Sequence, residues 1–322
     1  ETDKAFSANN VTVTSGNLIL KAIDNNYVVS GNLNVATNGM LTHSVSWDAT
    51  YKALSISGNL DVTGIFNPTV RSHVAMSGAG NKTIRTGPNA SSTLSILTFS
   101  TGNYTANGTL RANQEVWAMF GTTGTFSTGN NVVSFPAILN NMGTIKVNNG
   151  GTLNITGDAQ IGFAGTSGQL NIKGGGVMTI GGNLYNNVAA DITFTGASTL
   201  NIAGNMINNG AITTGNETVT FNGTSDENIS GSNPPAFYNL IVNGTNVVQH
   251  VNMNIINTLT LQSGIFNLQQ YLCNRATVGG ALVINSGATM IVGGSSGGAS
   301  GSNFPKDFST YTLQNGSTVN YN

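Results

Sequence analysis

Gly31-Asn32-Leu33-Asn34-Val35 returns, one residue changed, as Gly58-Asn59-Leu60-Asp61-Val62, and this recurrence decides the fold. The unit continues as Gly151-Thr152-Leu153-Asn154-Ile155, Gly168-Gln169-Leu170-Asn171-Ile172 and Ser198-Thr199-Leu200-Asn201-Ile202. Looser copies are Gly182-Asn183-Leu184, Gly204-Asn205-Met206, Ala288-Thr289-Met290-Ile291-Val292 and Ser317-Thr318-Val319-Asn320-Tyr321. In the strong copies the apolar residues stand two apart with a polar residue between, which is the period of a strand buried on one face. A glycine or other small residue leads each copy and reads as a corner. The leading apolar residues are 27 apart from Leu33 to Leu60, 17 from Leu153 to Leu170 and 30 from Leu170 to Leu200. That spacing is too irregular for a strict short-period roll. It fits a parallel β-helix, whose coils of about 20 residues tolerate variable loops between corners.

The expected fold is therefore all-β: a parallel β-helix, or β-solenoid, forming an elongated rod with irregular lateral loops. Inward Leu, Ile, Val and Phe fill a continuous core, and outward Asn and Thr form ladders from coil to coil. At about 22 residues per coil the chain makes about 15 coils. The whole of 1–322 reads as one solenoid domain, less regular at about 85–136, where Trp117, Met119, Phe120, Phe126 and Phe135 gather. That stretch is either solenoid with longer lateral loops or a small inserted lobe. Gly293-Gly294-Ser295-Ser296-Gly297-Gly298 opens a flexible loop by composition, and Pro234, Pro235 and Pro305 mark excursions from the stack.

Composition supports this reading. Only 7% of the 322 residues are charged, against roughly 25% in ordinary soluble proteins, so Asn, Thr, Ser and Gly carry the surface polarity. Those residues are poor in helix interiors and good in tight turns. Disorder is the alternative for such a chain, but 39% hydrophobic residues and a net charge of −1 argue against it. No basic stripe exists to meet phosphates, which excludes nucleic acid as the expected partner. No apolar run is long enough for a transmembrane helix. No leader precedes Glu1, which fits a cytosolic chain and a processed mature chain alike. The single Cys273 forms no disulfide framework and reads as a small buried hydrophobe.

The run Val219-Thr220-Phe221-Asn222-Gly223-Thr224-Ser225-Asp226-Glu227-Asn228-Ile229-Ser230-Gly231 leads to Phe237-Tyr238-Asn239-Leu240-Ile241-Val242-Asn243. Val251-Asn252-Met253-Asn254-Ile255 and Leu259-Thr260-Leu261-Gln262-Ser263-Gly264 follow. This series resembles the coils of large repeat-rich β-helix surface proteins secreted by Bacteroidetes. The resemblance implies export to the cell surface, often by the type IX route, and a role as adhesin or structural component.

Catalytic chemistry is hard to find. A polysaccharide-cleaving β-helix needs clustered carboxylates, whereas the acidic residues here are isolated apart from Asp226-Glu227, at an apparent turn, and the terminal Glu1 and Asp3. Coil-to-coil contact could still bring Glu217 or Asp226 near another acid. His43, His73 and His250 lack metal-ligand spacing. Gly174-Gly175-Gly176 and Gly181-Gly182 lack the Lys-Ser/Thr of a phosphate loop. The many Asn-x-Ser/Thr sequons follow from composition. No catalytic, metal or cofactor residue is assigned, and no cofactor is expected. Trp47 and Trp117, with Tyr51 and Tyr104, are the candidates for stacking on a glycan.

Ser317–Asn322 parallels Glu217–Asn222, whose copy continues into Gly223, so the chain reads as stopping in mid-coil. Its ends are expected to join more of the same chain or to stack on neighbouring subunits. The leading functional expectation is a non-enzymatic extracellular structural protein, a cell-surface rod or filament subunit associating through solenoid ends. An adhesin or carbohydrate-binding passenger that meets surface glycans is the alternative, and a polysaccharide-cleaving enzyme is the third.

Overall fold

The structure is a computed structural model that describes residues 6–21, 26–44, 53–69, 71–117, 124–163, 166–293 and 302–322, with backbone alone at 115–117 and 139–141. The flexible-loop expectation at 294–301 lies outside the described residues. All described regular structure is β, every strand pairing is parallel, and the coils stack as a β-solenoid. The chain divides into two compact units, Glu1–Thr156 and Gly157–Asn322. Where all three are present, a coil visits three parallel sheets in turn, here the first, second and third faces; the third begins at Leu110–Arg111, and the second ends at Ala211–Thr213, beyond which coils alternate between the first and third.

In the first unit, the first face holds Tyr27–Val29, Leu54–Ile56, His73–Met76, Ile96–Phe99, Glu115–Trp117 and Ala137–Asn141. The second face continues through Leu60–Val62, Asn81–Arg85, Asn103–Ala106, Thr125–Ser127 and Thr144–Val147. Leu110–Arg111, Val132–Phe135 and Thr152–Ile155 make the third. The early strand Leu33–His43 runs round a corner, pairing with Leu60–Val62 and then with Ile65–Pro68. Within 85–136 the described residues form strands of the same three sheets. Phe126 and Phe135 are core residues: the Phe99 and Phe126 rings stack at 4.9 Å, and Phe126 meets Phe135 at 5.9 Å, while Met119 and Phe120 lie outside the described residues.

The second unit shows why alternation suffices to build a core. Met178, Leu200, Val219, Leu240, Leu259 and Leu282 pair coil on coil down the third face, and every one is fully buried. Each such burial contributes about 1.5–3 kcal/mol, and the polar residues between them face outward. Pro234, Pro235 and Pro305 all lie outside strands, since proline has no N–H for an interior ladder.

The coil length varies while the stack stays in register. Partners are 22 residues apart where Leu170 meets Ile192 and Met178 meets Leu200, 19 where Leu200 meets Val219 and 29 where Leu282 meets Tyr311. The five-residue copies do not mark successive turns of one sheet. Leu33 and Leu60 share the second face, as does Leu170 in its own unit, but Leu153 and Leu200 lie on third faces and Leu184 on a first face.

The Gly-Asn corner has a physical reason. Asp158 Oδ1 accepts the backbone N–H of Asn183 at 2.7 Å, Asn183 Oδ1 that of Asn205 at 2.8 Å, and Asn205 Oδ1 that of Asn228 at 2.8 Å. The first unit repeats the device: Asn10, Asn32 and Asn59 each accept the N–H one coil on, from Asn32, Asn59 and Thr83, at 2.8 Å. The preceding glycine must lie flat against the coil below, because a Cβ on Gly204 would come 2.6 Å from the Gly182 carbonyl oxygen. Asparagine thus climbs the stack where glycine clears the way, and the following leucine turns inward.

Candidate functional site

Of the four glycan-stacking candidates, the structure describes the side chain of Tyr104 alone. Trp47 and Tyr51 lie outside the described residues. Trp117 ends the strand Glu115–Trp117 and pairs with Thr98, and only its backbone is described. Tyr104 is a correction: its side chain is fully buried, and its hydroxyl donates to the Gly78 carbonyl at 2.9 Å. Burial pushes its phenol up to about 12, so it is a core residue and presents no face to a sugar.

Two of the three histidines are core residues too. His43 and His73 are buried in the first unit, and burial lowers each to about 4, with the mutual charge adding to the effect at His43. His73 Nε2 lies 2.9 Å from the Thr98 hydroxyl, and the His43 ring meets Phe66 edge-on at 6.3 Å. His250 is exposed and continues the asparagine ladder, its Nε2 standing 2.9 Å from Asn228 Oδ1. Cys273 is fully buried, and its thiol is pushed up by that burial.

The carboxylates correct another expectation. Asp226-Glu227 is not a turn: Asp226–Ser230 is a first-face strand, with Asp226 outward and Glu227 fully buried. A signal existed, since Glu227 stands two before the inward Ile229. Desolvation raises Glu227 to about 7. The backbone amides of Gly223 and Asn222 pull the other way without a hydrogen bond of ordinary geometry to either oxygen. Glu217, also fully buried, braces a corner: Oε2 accepts the Gly215 N–H and Oε1 the Tyr238 N–H, both at 2.7 Å. Both carboxyls are enclosed in the core. Among the described residues no group of three or more His, Cys, Asp or Glu could hold a metal ion.

The last described coil of the second unit keeps the same register. Phe308–Leu313 pairs on one side with Gly279–Ile284, and Thr318–Tyr321 with Thr289–Val292. Tyr311, Leu313, Val319 and Tyr321 occupy the inward register of Leu282, Ile284, Met290 and Val292. Those four partners are 0–1% exposed, whereas Tyr311 is 44%, Leu313 51% and Tyr321 63% exposed.

Among the described residues no helix is long and apolar enough to cross a membrane. The chain matches no protein-family model, no curated protein and no solved structure.

Proposed function

We propose that this chain is a non-enzymatic structural protein of a microbial cell surface, a rod or filament subunit whose coils stack end on end with those of further copies. The constant coil-on-coil register supports the reading, because each coil offers its parallel strands and inward apolar column as the template for the next. The surface location rests on the resemblance of the Val219–Gly264 region to secreted repeat proteins.

Light scattering during size exclusion, followed by negative-stain electron microscopy, tests the reading as the protein is concentrated. End-to-end assembly is expected, with Leu313→Lys abolishing it by placing an ammonium group in the inward register of Ile284. A native protein that stays monomeric throughout, or a variant that assembles undiminished, overturns the proposal.

A further inference from the structure

The first unit carries a groove of about 300 Å³ where the third face turns towards the first. It crosses four successive coils. Thr93 precedes Leu94, which bridges to Ala112; Arg111 pairs with Ser134; and the Thr156 N–H donates to the Phe135 carbonyl. Coils step by about 4.8 Å, so the groove runs along the stack and across the strands.

Its chemistry is uneven. Ala90, Ala112 and Pro136 give it apolar walls, and Asn113 and Ser134 add an amide and a hydroxyl with no side-chain hydrogen bond among the described residues. Arg111 is the one charged lining residue. Its Nη1 donates to the Gly87 and Asn89 carbonyls, both at 3.2 Å, which anchors the guanidinium. Nε and Nη2 make no hydrogen bond, and no carboxylate pairs with Arg111, among the described residues. This is a fixed cation without a counter-charge, in a volume at the lower end of small-ligand sites.

We propose that this groove binds an acidic saccharide, with the carboxylate of a hexuronate on Arg111 and its sugar ring against Ala112 and Pro136. Guanidinium and carboxylate are matched in geometry and charge. The C–H face of a pyranose suits the apolar walls, and its hydroxyls suit Asn113 and Ser134. A phosphate or sulfate would leave the apolar walls unused and calls for more than one cation. An acidic peptide is disfavoured because the surrounding strands already pair coil to coil, leaving no edge for strand addition. The inference is independent of assembly through coil ends.

Isothermal titration of the full chain with an oligogalacturonate tests it, with a neutral galactose oligomer and a sulfated oligosaccharide as comparison arms. Selective binding of the uronate that weakens with added salt is expected. Arg111→Gln should abolish it. Asn113→Asp adds a carboxylate at an exposed position, leaves the Arg111 anchor intact and should weaken binding by about tenfold. Thermal melts identify any variant that fails to fold, and the Asn113→Asp result stands if Arg111→Gln is such a case. Absent uronate binding, equal binding of the neutral or sulfated oligomer, or affinity unchanged in Asn113→Asp overturns the assignment.

Discussion

Replacing Asn205 by alanine removes one rung of the corner ladder and asks what it contributes beyond strand pairing. Asn205 Oδ1 accepts the Asn228 N–H and side-chain amide, both at 2.8 Å, and its own amide donates to Asn183 Oδ1 at 2.9 Å. Three bonds at a net of about 1 kcal/mol each would total about 3 kcal/mol. The corner is half-buried, so water re-satisfies part of the loss, and about 2 kcal/mol is expected. Solenoid stability is local to neighbouring coils, so the cost should concentrate around the substitution. Hydrogen exchange at the Asn228 amide should quicken by about 30-fold, the equivalent of 2 kcal/mol. Asn171→Ala is the control, a mid-strand residue with no side-chain hydrogen bond among the described residues, and should shift stability by no more than about 0.5 kcal/mol. Asn205→Asp should recover part of the loss, since Asp158 fills the same acceptor role beneath Asn183. If Asn205→Ala and Asn171→Ala behave alike, the ladder adds nothing and the argument fails.

Acidification should act in opposite directions on the two units, which site-resolved hydrogen exchange can follow. His43 and His73 bind protons less readily folded than unfolded, so the first unit keeps its stability above about pH 6.5 and loses it as pH falls towards 4. At pH 5 the loss is about 2 kcal/mol per ring, and a flat response from pH 7 to 5 would contradict it. Glu227 is the reverse case, with stability present below about pH 4.5 and lost as pH rises through about 7. Glu227→Gln should therefore stabilise the second unit by about 3 kcal/mol at pH 8 and change little at pH 5, as read from urea midpoints. Two glycines separate strain from collision. Gly80→Ala, at φ +79° with open space around it, should cost about 1 kcal/mol. Gly264→Ala, at φ +67°, would place a Cβ 1.9 Å from the Gly244 carbonyl oxygen and should cost about 4 kcal/mol or more. Equal melting temperatures for these two variants would refute the close-approach account.

Much of the fold is legible in the sequence because strand alternation is a local property. Leu153 with Ile155, and Leu200 with Ile202, point inward as their spacing says. What is not local is the assignment of each strand to a face, since that depends on how many residues each corner consumes. Identical Thr-Leu-Asn-Ile runs share the third-face role, but Gly-Asn-Leu serves the second face at Leu60 and the first at Leu184. The buried acids were hidden for another reason. A charged pair such as Asp226-Glu227 reads as a turn because burying a carboxylate is costly, and only the i, i+2 relation to Ile229 outweighs that.

The varying coil length with constant register makes the length of this architecture adjustable in whole turns. Leu184 pairs with Met206 and Tyr185 with Ile207, so chain cut just before Leu184 and rejoined just before Met206 meets an equivalent corner. The excised 22 residues leave behind the same inward column and the same asparagine acceptor one step down. A gene encoding such a chain can therefore grow or shrink by unequal exchange between Gly-Asn corners, changing reach without redesigning any interface.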